Sequence, residues 1–268
     1  MNSLLALKKN IPAQITSYDF LKFFAVATMI VDHLGAYFYP DDMWWRAVGR
    51  LSAPVWLFLI GFAKSRDLSP PLWVGASLLV VASFLFGGNI FPANILILFV
   101  FIRPLIDKVA VYMLSDYGRM IAVSAILFTG SLVTAFFMDY GSIGFLVALY
   151  GYMARRRVDG NPVSAEVYFA SFVFLSYFLF AYATFDFSSS QAHFTLLAIG
   201  VVFFALYYFK PVVFSGQFER TCPGWIKAVL RVTGRRSLEI YVGHLLLFKC
   251  LAAFYETSDH SFFGWHWY

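Results

Sequence analysis

Three ionisable residues inside the first apolar stretch of the chain are the strongest indication of chemistry. Lys22, Asp32 and His33 lie within residues 18–39, which are otherwise mostly apolar. A charged group at the centre of a hydrocarbon layer costs about 2–3 kcal/mol or more unless it finds a partner or water. Lys22 and His33 are eleven residues apart, so they share a helical face and lie about 16 Å apart along its axis. We therefore treat this pair as the start of a functional site.

Two arginines at the beginning of the second apolar stretch extend this group. Arg46 and Arg50 are four residues apart and share a helical face. Because the connection between the two stretches is short, the second helix should run back beside the first, which brings Arg50 to a depth similar to that of His33. Arginines can hold an anionic or carbonyl oxygen by forked hydrogen bonds, and a histidine can exchange a proton near neutral pH. We predict that these residues converge with Asp32.

The last apolar stretch and one loop supply further candidates. Ser237, Tyr241 and His244 follow a spacing of four and three residues and share a helical face. His244 is a candidate pocket residue, with a structural hydrogen bond as the alternative. Asp139 lies at a helix end, where it either caps the helix or binds a ligand.

The residues of the first stretch also have structural interpretations. Lys22 can extend to the membrane surface and pair with Asp19, three residues earlier. Asp32 can be interfacial, because the polar turn at residues 40–42 follows two helical turns later. His33 can be a hydrogen-bonded core residue. The arginines are the observation that favours a functional site.

The elements that must position these residues are membrane-spanning helices. The 268-residue chain is 60% hydrophobic and only 13% charged, with a mean hydropathy of +0.71, which excludes an ordinary soluble domain. We predict an all-α polytopic membrane protein with about nine (9–10) transmembrane helices. The apolar stretches lie at residues 18–39, 47–63, 71–87, 90–106, 119–138, 141–154, 166–186, 193–214 and 237–254.

The distribution of basic residues predicts the orientation. The net charge of +5 could suggest nucleic acid as a partner, but the basic residues recur as small clusters between apolar stretches, so we expect no nucleic acid. Starting from Lys8 and Lys9, these clusters, which include Lys64, Arg103 and Arg155, occur in every second connection and therefore fall on one side of the membrane, which predicts a cytoplasmic N-terminus. Membrane lipid is the expected environment.

We expect one integral membrane domain over residues 1–268, without a soluble module. The longest polar segment, about residues 211–235, is basic and is predicted to be cytoplasmic, where it could meet lipid phosphates or an anionic cofactor. Cys222 and Cys250 do not have the spacing of a disulfide or a zinc site, and we expect no bound metal.

Four motifs in the chain resemble those of known membrane acyltransferases. Residues 19–33, DFLKFFAVATMIVDH, resemble the opening signature of the TraX family, pilin acetylases of conjugative pili in the bacterial inner membrane. Residues 49–58, GRLSAPVWLF, and residues 139–144, DYGSIG, resemble two further motifs of that family. Lys22 with His33, and residues 237–244, SLEIYVGH, are similar to motifs of the wider membrane acyltransferase-3 group, although the arginine pair here has three intervening residues rather than two.

The resemblance implies acetyl transfer across the bilayer, from acetyl-CoA in the cytoplasm to an acceptor on the far side. Lys22, Arg235 and Arg236 would bind the donor's anionic nucleotide. His33 would act as general base, and Arg50 or Arg46 would stabilise oxyanion charge or position the acceptor. Asp32 would orient His33, but adjacent residues diverge by about 100° around a helix, which leaves Asp139 as an alternative. Tyr241 and His244 complete the expected substrate site.

Three functions remain open at this point. The first is acetylation of the N-terminal amine of a pilin, and the second is O-acetylation of an envelope glycan. The third is a proton-coupled transporter, because buried His, Asp and Arg also form proton relays. A transporter is expected to have repeated halves with paired broken helices, and the chain shows no such symmetry.

Overall fold

The computed structural model describes residues 14–257 and 260–267, and these residues form an all-helical protein with one minimal two-stranded sheet. Within this range the helices are α1 (Ser17–Phe38), α2 (Met43–Gly49), α3 (Ser52–Phe62), α4 (Pro70–Phe86), α5 (Ile95–Leu114), α6 (Tyr117–Thr134), α7 (Gly141–Val158), α8 (Glu166–Thr184), α9 (Ser189–Tyr207), α10 (Gln217–Thr221), α11 (Gly224–Arg235) and α12 (Ser237–Tyr255). The strands are β1 (Gly88–Asn89) and β2 (Trp265–His266), which pair in parallel.

Several of these helices are suited to crossing a membrane. Five, namely α1, α6, α8, α9 and α12, have the required length and composition, and α4 is a shorter apolar helix. The prediction of an all-α, multi-pass membrane protein is therefore confirmed, whereas the count of about nine spans and the cytoplasmic N-terminus stay predictions. Lys8 and Lys9, which contribute to the predicted orientation, lie outside the described residues.

The second apolar stretch, predicted as one span over residues 47–63, is divided into α2 and α3. Pro54 has no N–H to donate to the carbonyl of Arg50, four residues earlier. That carbonyl instead accepts a hydrogen bond from the Tyr177 hydroxyl, at 2.8 Å. The interruption therefore places Arg50 between two helices, and a neighbouring helix satisfies its backbone.

Helices α3 and α7 form the centre of the bundle. A Cβ atom added to Gly61 would overlap the backbone carbonyl of Ala148, and one added to Gly151 would overlap that of Phe58. Small residues on both helices thus let the two backbones approach closely, as is usual between helices in membranes. This packing buries nearly all of α3, and the candidate sites of α1 and α12 lie beside it.

Candidate functional site

A cavity of about 1190 Å³ runs along helix α1. Its wall includes Tyr18 and Lys22 near the beginning of α1, His33 further along, and Tyr37 at the end. Tyr18 and Tyr37 are separated by about 28 Å along a helix axis, close to the thickness of a bilayer core. We call the part near Tyr18 and Lys22 the Lys22 end, and the part near Tyr37 and Lys249 the Tyr37 end.

His33 on the cavity wall is hydrogen-bonded to His244 of α12. His33 Nδ1 lies 2.7 Å from His244 Nε2, and His244 Nδ1 lies 2.7 Å from the carbonyl oxygen of Ile240. A carbonyl only accepts, so His244 carries its proton on Nδ1, and its Nε2 accepts from His33 Nδ1 when both rings are neutral. This assigns the proton of His33 to Nδ1 and leaves its Nε2 with a lone pair that can take up a proton.

His244 takes the second of the two places considered for it, that of a hydrogen-bonded residue rather than a pocket residue. The wall of the cavity includes His33, Tyr241 and Ser237 but not His244. His244 contacts His33 directly, with the two rings stacked at 4.9 Å between centroids. It is placed to orient His33 and select its tautomer, rather than to contact a substrate.

Asp32, Arg46 and Arg50 form a compact ion-pair group beside this pair. Asp32 Oδ2 forms an ion pair with Arg46 Nη1 at 3.0 Å and accepts a hydrogen bond from Arg50 Nη2. Arg46 Nη1 additionally donates to the backbone carbonyl of Asp32, at 3.0 Å. The structure thus joins Asp32 to the two arginines, which is consistent with the divergence between Asp32 and His33 around α1.

The two arginines differ in how they face the cavity. Arg50 is buried, with 7% of its side chain exposed, and its Nη1 donates to the Tyr140 hydroxyl at 3.0 Å. Its guanidinium also lies 4.5 Å from the centre of the Phe185 ring. Arg46 has 19% of its side chain exposed and is the better placed of the two to meet a ligand. Arg50 is held mainly by protein groups.

Asp139 lies on the cavity wall, in the loop between α6 and α7. The N-cap of α7 is Tyr140, so Asp139 does not cap that helix. Its carboxyl instead accepts a hydrogen bond from the backbone N–H of Ile95, the first residue of α5. Burial raises the pKa of the Asp139 carboxyl to about 7, against the opposing attraction of Arg50 and Arg46. It is a carboxyl whose charge can change near neutral pH.

Of the three residues predicted to bind the acetyl donor, only Lys22 lies on the cavity wall. Lys22 lies on the wall, and its Nζ donates to the carbonyl of Gly234 at 3.0 Å. Asp19, its predicted alternative partner, instead accepts from Thr16 N at 2.8 Å. Arg235 and Arg236 are exposed at the junction of α11 and α12 and are not part of the wall.

Several wall residues were not predicted as site residues. Lys249 Nζ donates to the Ser83 hydroxyl at 3.1 Å and lies 5.8 Å from the centre of the Tyr37 ring. Its position, eight residues after Tyr241, continues the helical face that carries Ser237 and could have indicated it. The remaining unpredicted cations of the wall are Lys64, Arg103 and Arg155. In the sequence, these three residues indicate membrane orientation and not a ligand site.

The described residues contain no cluster of three or more His, Cys, Asp or Glu side chains that could hold a metal ion.

The comparisons with known proteins give one family. The family model described as TraX protein matches residues 17–252. The uncharacterized protein RP591 of Rickettsia prowazekii (strain Madrid E) is 25% identical over 200 residues, covering 72% of this chain and 77% of that protein. No solved structure matches the chain.

Proposed function

The chain belongs to the TraX family, and we propose that it is a membrane-bound acetyltransferase. Membership of this family suggests a conjugation-related membrane protein. In our proposal, acetyl-CoA enters at the Lys22 end and the acceptor at the Tyr37 end, in the bacterial inner membrane. The observation that carries the proposal is His33, which is hydrogen-bonded to His244 and lies on the wall of a cavity that includes residues near both ends of α1.

The proposed reaction is a direct transfer at His33. His33 Nε2 removes a proton from the acceptor amine while the nitrogen attacks the thioester carbonyl carbon. The carbon–sulfur bond then breaks, and the imidazolium returns the proton to the departing thiolate of CoA. Throughout, Nδ1 of His33 keeps its hydrogen bond to His244, which is anchored by the Ile240 carbonyl.

The ion-pair group would stabilise the negative charge that develops on the thioester oxygen. Arg46 is on the wall and partly exposed, so it is our candidate for contacting that oxygen. Asp32 and Arg50 would fix the position of Arg46 rather than contact the substrate. This assigns Asp32 and Arg50 a positioning role in place of the catalytic roles expected from the sequence.

The cavity also has features suited to both substrates. Its volume of about 1190 Å³ exceeds the roughly 300–1,000 Å³ of typical ligand pockets, as an extended donor and an acceptor together would require. At the Tyr37 end, the Asp139 carboxylate can pair with a protonated amine and take up one of its protons, which leaves the neutral nitrogen that attacks the thioester. This feature favours the N-terminal amine of a pilin as acceptor over the hydroxyl of a glycan.

The test is transfer of label from acetyl-CoA, radiolabelled on the acetyl group, to envelope components of membranes that contain the protein. We expect His33→Ala to reduce transfer by about 10²–10⁴-fold, the usual contribution of a general base. His193→Ala is a matched control, because His193 is an exposed residue of α9 outside the cavity wall. Transfer unchanged in His33→Ala would overturn the mechanism, and no transfer by the wild type would favour transport.

A further inference from the structure

Four cations line the Lys22 end of the cavity, and they come from different parts of the chain. Lys22 belongs to α1, Lys64 follows α3, Arg103 lies in α5 and Arg155 lies near the end of α7. The carboxylates of the described wall, Asp32 and Asp139, belong to later positions of the cavity, beside the arginine pair. The Lys22 end is therefore strongly basic.

The loop of residues 63–69 is held in place by arginines at this end. Arg66 Nη1 donates to the carbonyl of Ala63 at 2.7 Å, and Arg103 Nη1 donates to that of Asp67 at 2.7 Å. Arg155 lies 5.1 Å from the centre of the Phe62 ring, just before the loop. These contacts fix the loop and its cations at the edge of the cavity, and we call this edge the basic rim.

Neighbouring carboxylates cancel only part of this positive charge. Asp159 pairs with both Lys64, at 3.4 Å, and Arg155, at 3.0 Å. In the described part of the chain, Lys22 and Arg103 form no ion pair and donate instead to neutral backbone carbonyls. Arg103 Nε is also buried and has no hydrogen-bond partner among these residues. Asp159 thus pairs with two of the four cations, and the Asp19 and Asp67 carboxylates attract Lys22 and Arg103 without forming ion pairs with them. The Nε donor of Arg103 is left for a ligand.

We propose that the Lys22 end binds the phosphate groups of a phosphorylated donor, with Arg103 and Lys64 as principal ligands. Guanidinium and ammonium groups are the usual ligands of phosphate esters, and the hydroxyl of Ser69 on the same wall adds a donor. This inference deepens the proposed function and rests on it. It places the nucleotide site at the loop of residues 63–69, whereas the sequence predicted it at Arg235 and Arg236 together with Lys22.

The test uses adenosine 3′,5′-bisphosphate, the nucleotide part of CoA, with the full-length protein in phosphatidylcholine nanodiscs. Titration calorimetry should show binding to the wild type. We expect Arg103→Gln and Lys64→Gln each to weaken it about tenfold or more, because each removes a charge-assisted hydrogen bond. Lys108→Gln is the matched control, since Lys108 is an exposed residue of the same helix as Arg103 outside the wall. Lys64→Gln addresses the possibility of misfolding, because 67% of the Lys64 side chain is exposed.

Each alternative has its own outcome. Equal affinities in Arg103→Gln, Lys64→Gln and Lys108→Gln would overturn the site, as would a loss confined to Arg235→Gln or Arg236→Gln. Displacement of the bisphosphate by phosphatidylglycerol in the nanodiscs would assign the cations to a lipid headgroup and overturn the nucleotide as ligand. In His33→Ala, affinity for the bisphosphate should stay unchanged. Bisphosphate binding without any acetyl transfer by the wild type would refute the proposed function while leaving the phosphate site intact.

Discussion

At the scale of single residues, the most informative contact is the one between His33 and His244. A histidine alone in an apolar helix has two tautomers, and only one of them leaves Nε2 as an acceptor. The Ile240 carbonyl determines where His244 carries its proton, and His244 in turn determines the tautomer of His33. A backbone carbonyl is thus the first member of a chain of hydrogen bonds that ends at the proposed base.

This arrangement predicts a graded effect of substitutions at His244. His244→Ala should lower kcat for acetyl transfer by about tenfold or more with little change in KM, because His33 loses its tautomer preference while the cavity wall is unchanged. His244→Gln should recover part of kcat, since the side-chain carbonyl can accept from His33 Nδ1. Steady-state kinetics of the two variants would check this. Equal losses in both, or an effect mainly on KM, would contradict a positioning role.

Asp139 predicts a pH dependence of acceptor binding. Its carboxyl has a pKa of about 7, raised by burial, so it gains negative charge as the pH rises through that value. An α-amino group with a pKa of about 7.7–8.0 is still mostly protonated there. KM for an amine acceptor should therefore fall as the pH rises from about 6 to 7.5.

The measurement is KM for the acceptor against pH in the wild type and in Asp139→Asn. The variant should have a higher KM and should lack the step near pH 7. The same step in both proteins would assign the titration to another group and remove Asp139 from acceptor binding.

At the scale of helices, apolar length predicted where helices form but not how the second stretch is interrupted. Helical segments overlap each predicted stretch, although α5 and α9 are shifted by several residues from residues 90–106 and 193–214. A continuous apolar run in lipid satisfies its backbone most simply as a helix. Pro54 leaves the Arg50 carbonyl without its helical partner, and the group that replaces this partner, the Tyr177 hydroxyl, comes from α8, 127 residues away from Arg50. No local pattern identifies such a partner.

The same reasoning applies to the candidate site. Helical spacing indicated that Lys22 and His33 share a face and that Arg46 and Arg50 share another. The pairing of His33 with His244 depends on how α1 packs against α12, which spacing within one helix does not determine. Arg103 and Arg155 illustrate the same limit. A basic residue near a helix end can set the membrane orientation or bind an anionic ligand, and the sequence alone does not distinguish the two roles.

The interruption at Pro54 predicts a double-variant effect on stability. Tyr177→Phe leaves the Arg50 carbonyl buried without its partner and should lower the free energy of unfolding by about 1–3 kcal/mol. Adding Pro54→Ala to Tyr177→Phe should restore part of this loss, because the new N–H can donate to that carbonyl within a continuous helix. Denaturant unfolding in detergent would measure both. Tyr182→Phe, an exposed position of the same helix, is the control, and a double variant no more stable than Tyr177→Phe would refute the explanation.

At the scale of the whole molecule, the proposed function requires one orientation in the membrane. Acetyl-CoA is a cytoplasmic donor, so the Lys22 end must face the cytoplasm and the Tyr37 end the opposite side. The basic residues agree with this direction, because Lys64 and Arg155 lie at the Lys22 end whereas the turn containing Asp41 follows the end of α1.

Thiol labelling of intact cells tests this orientation. In a protein with Cys222→Ser and Cys250→Ser, a membrane-impermeant maleimide should label Asp41→Cys in intact cells and Lys64→Cys only after permeabilisation. Both positions suit this test, since Asp41 and the Lys64 side chain are exposed, and the two background cysteines are unbridged. Labelling of Lys64→Cys in intact cells would place the basic rim on the wrong side for a cytoplasmic donor. The His33 chemistry could then stand only with a donor from the other compartment, so this result would separate the geometry of the site from the direction of transfer.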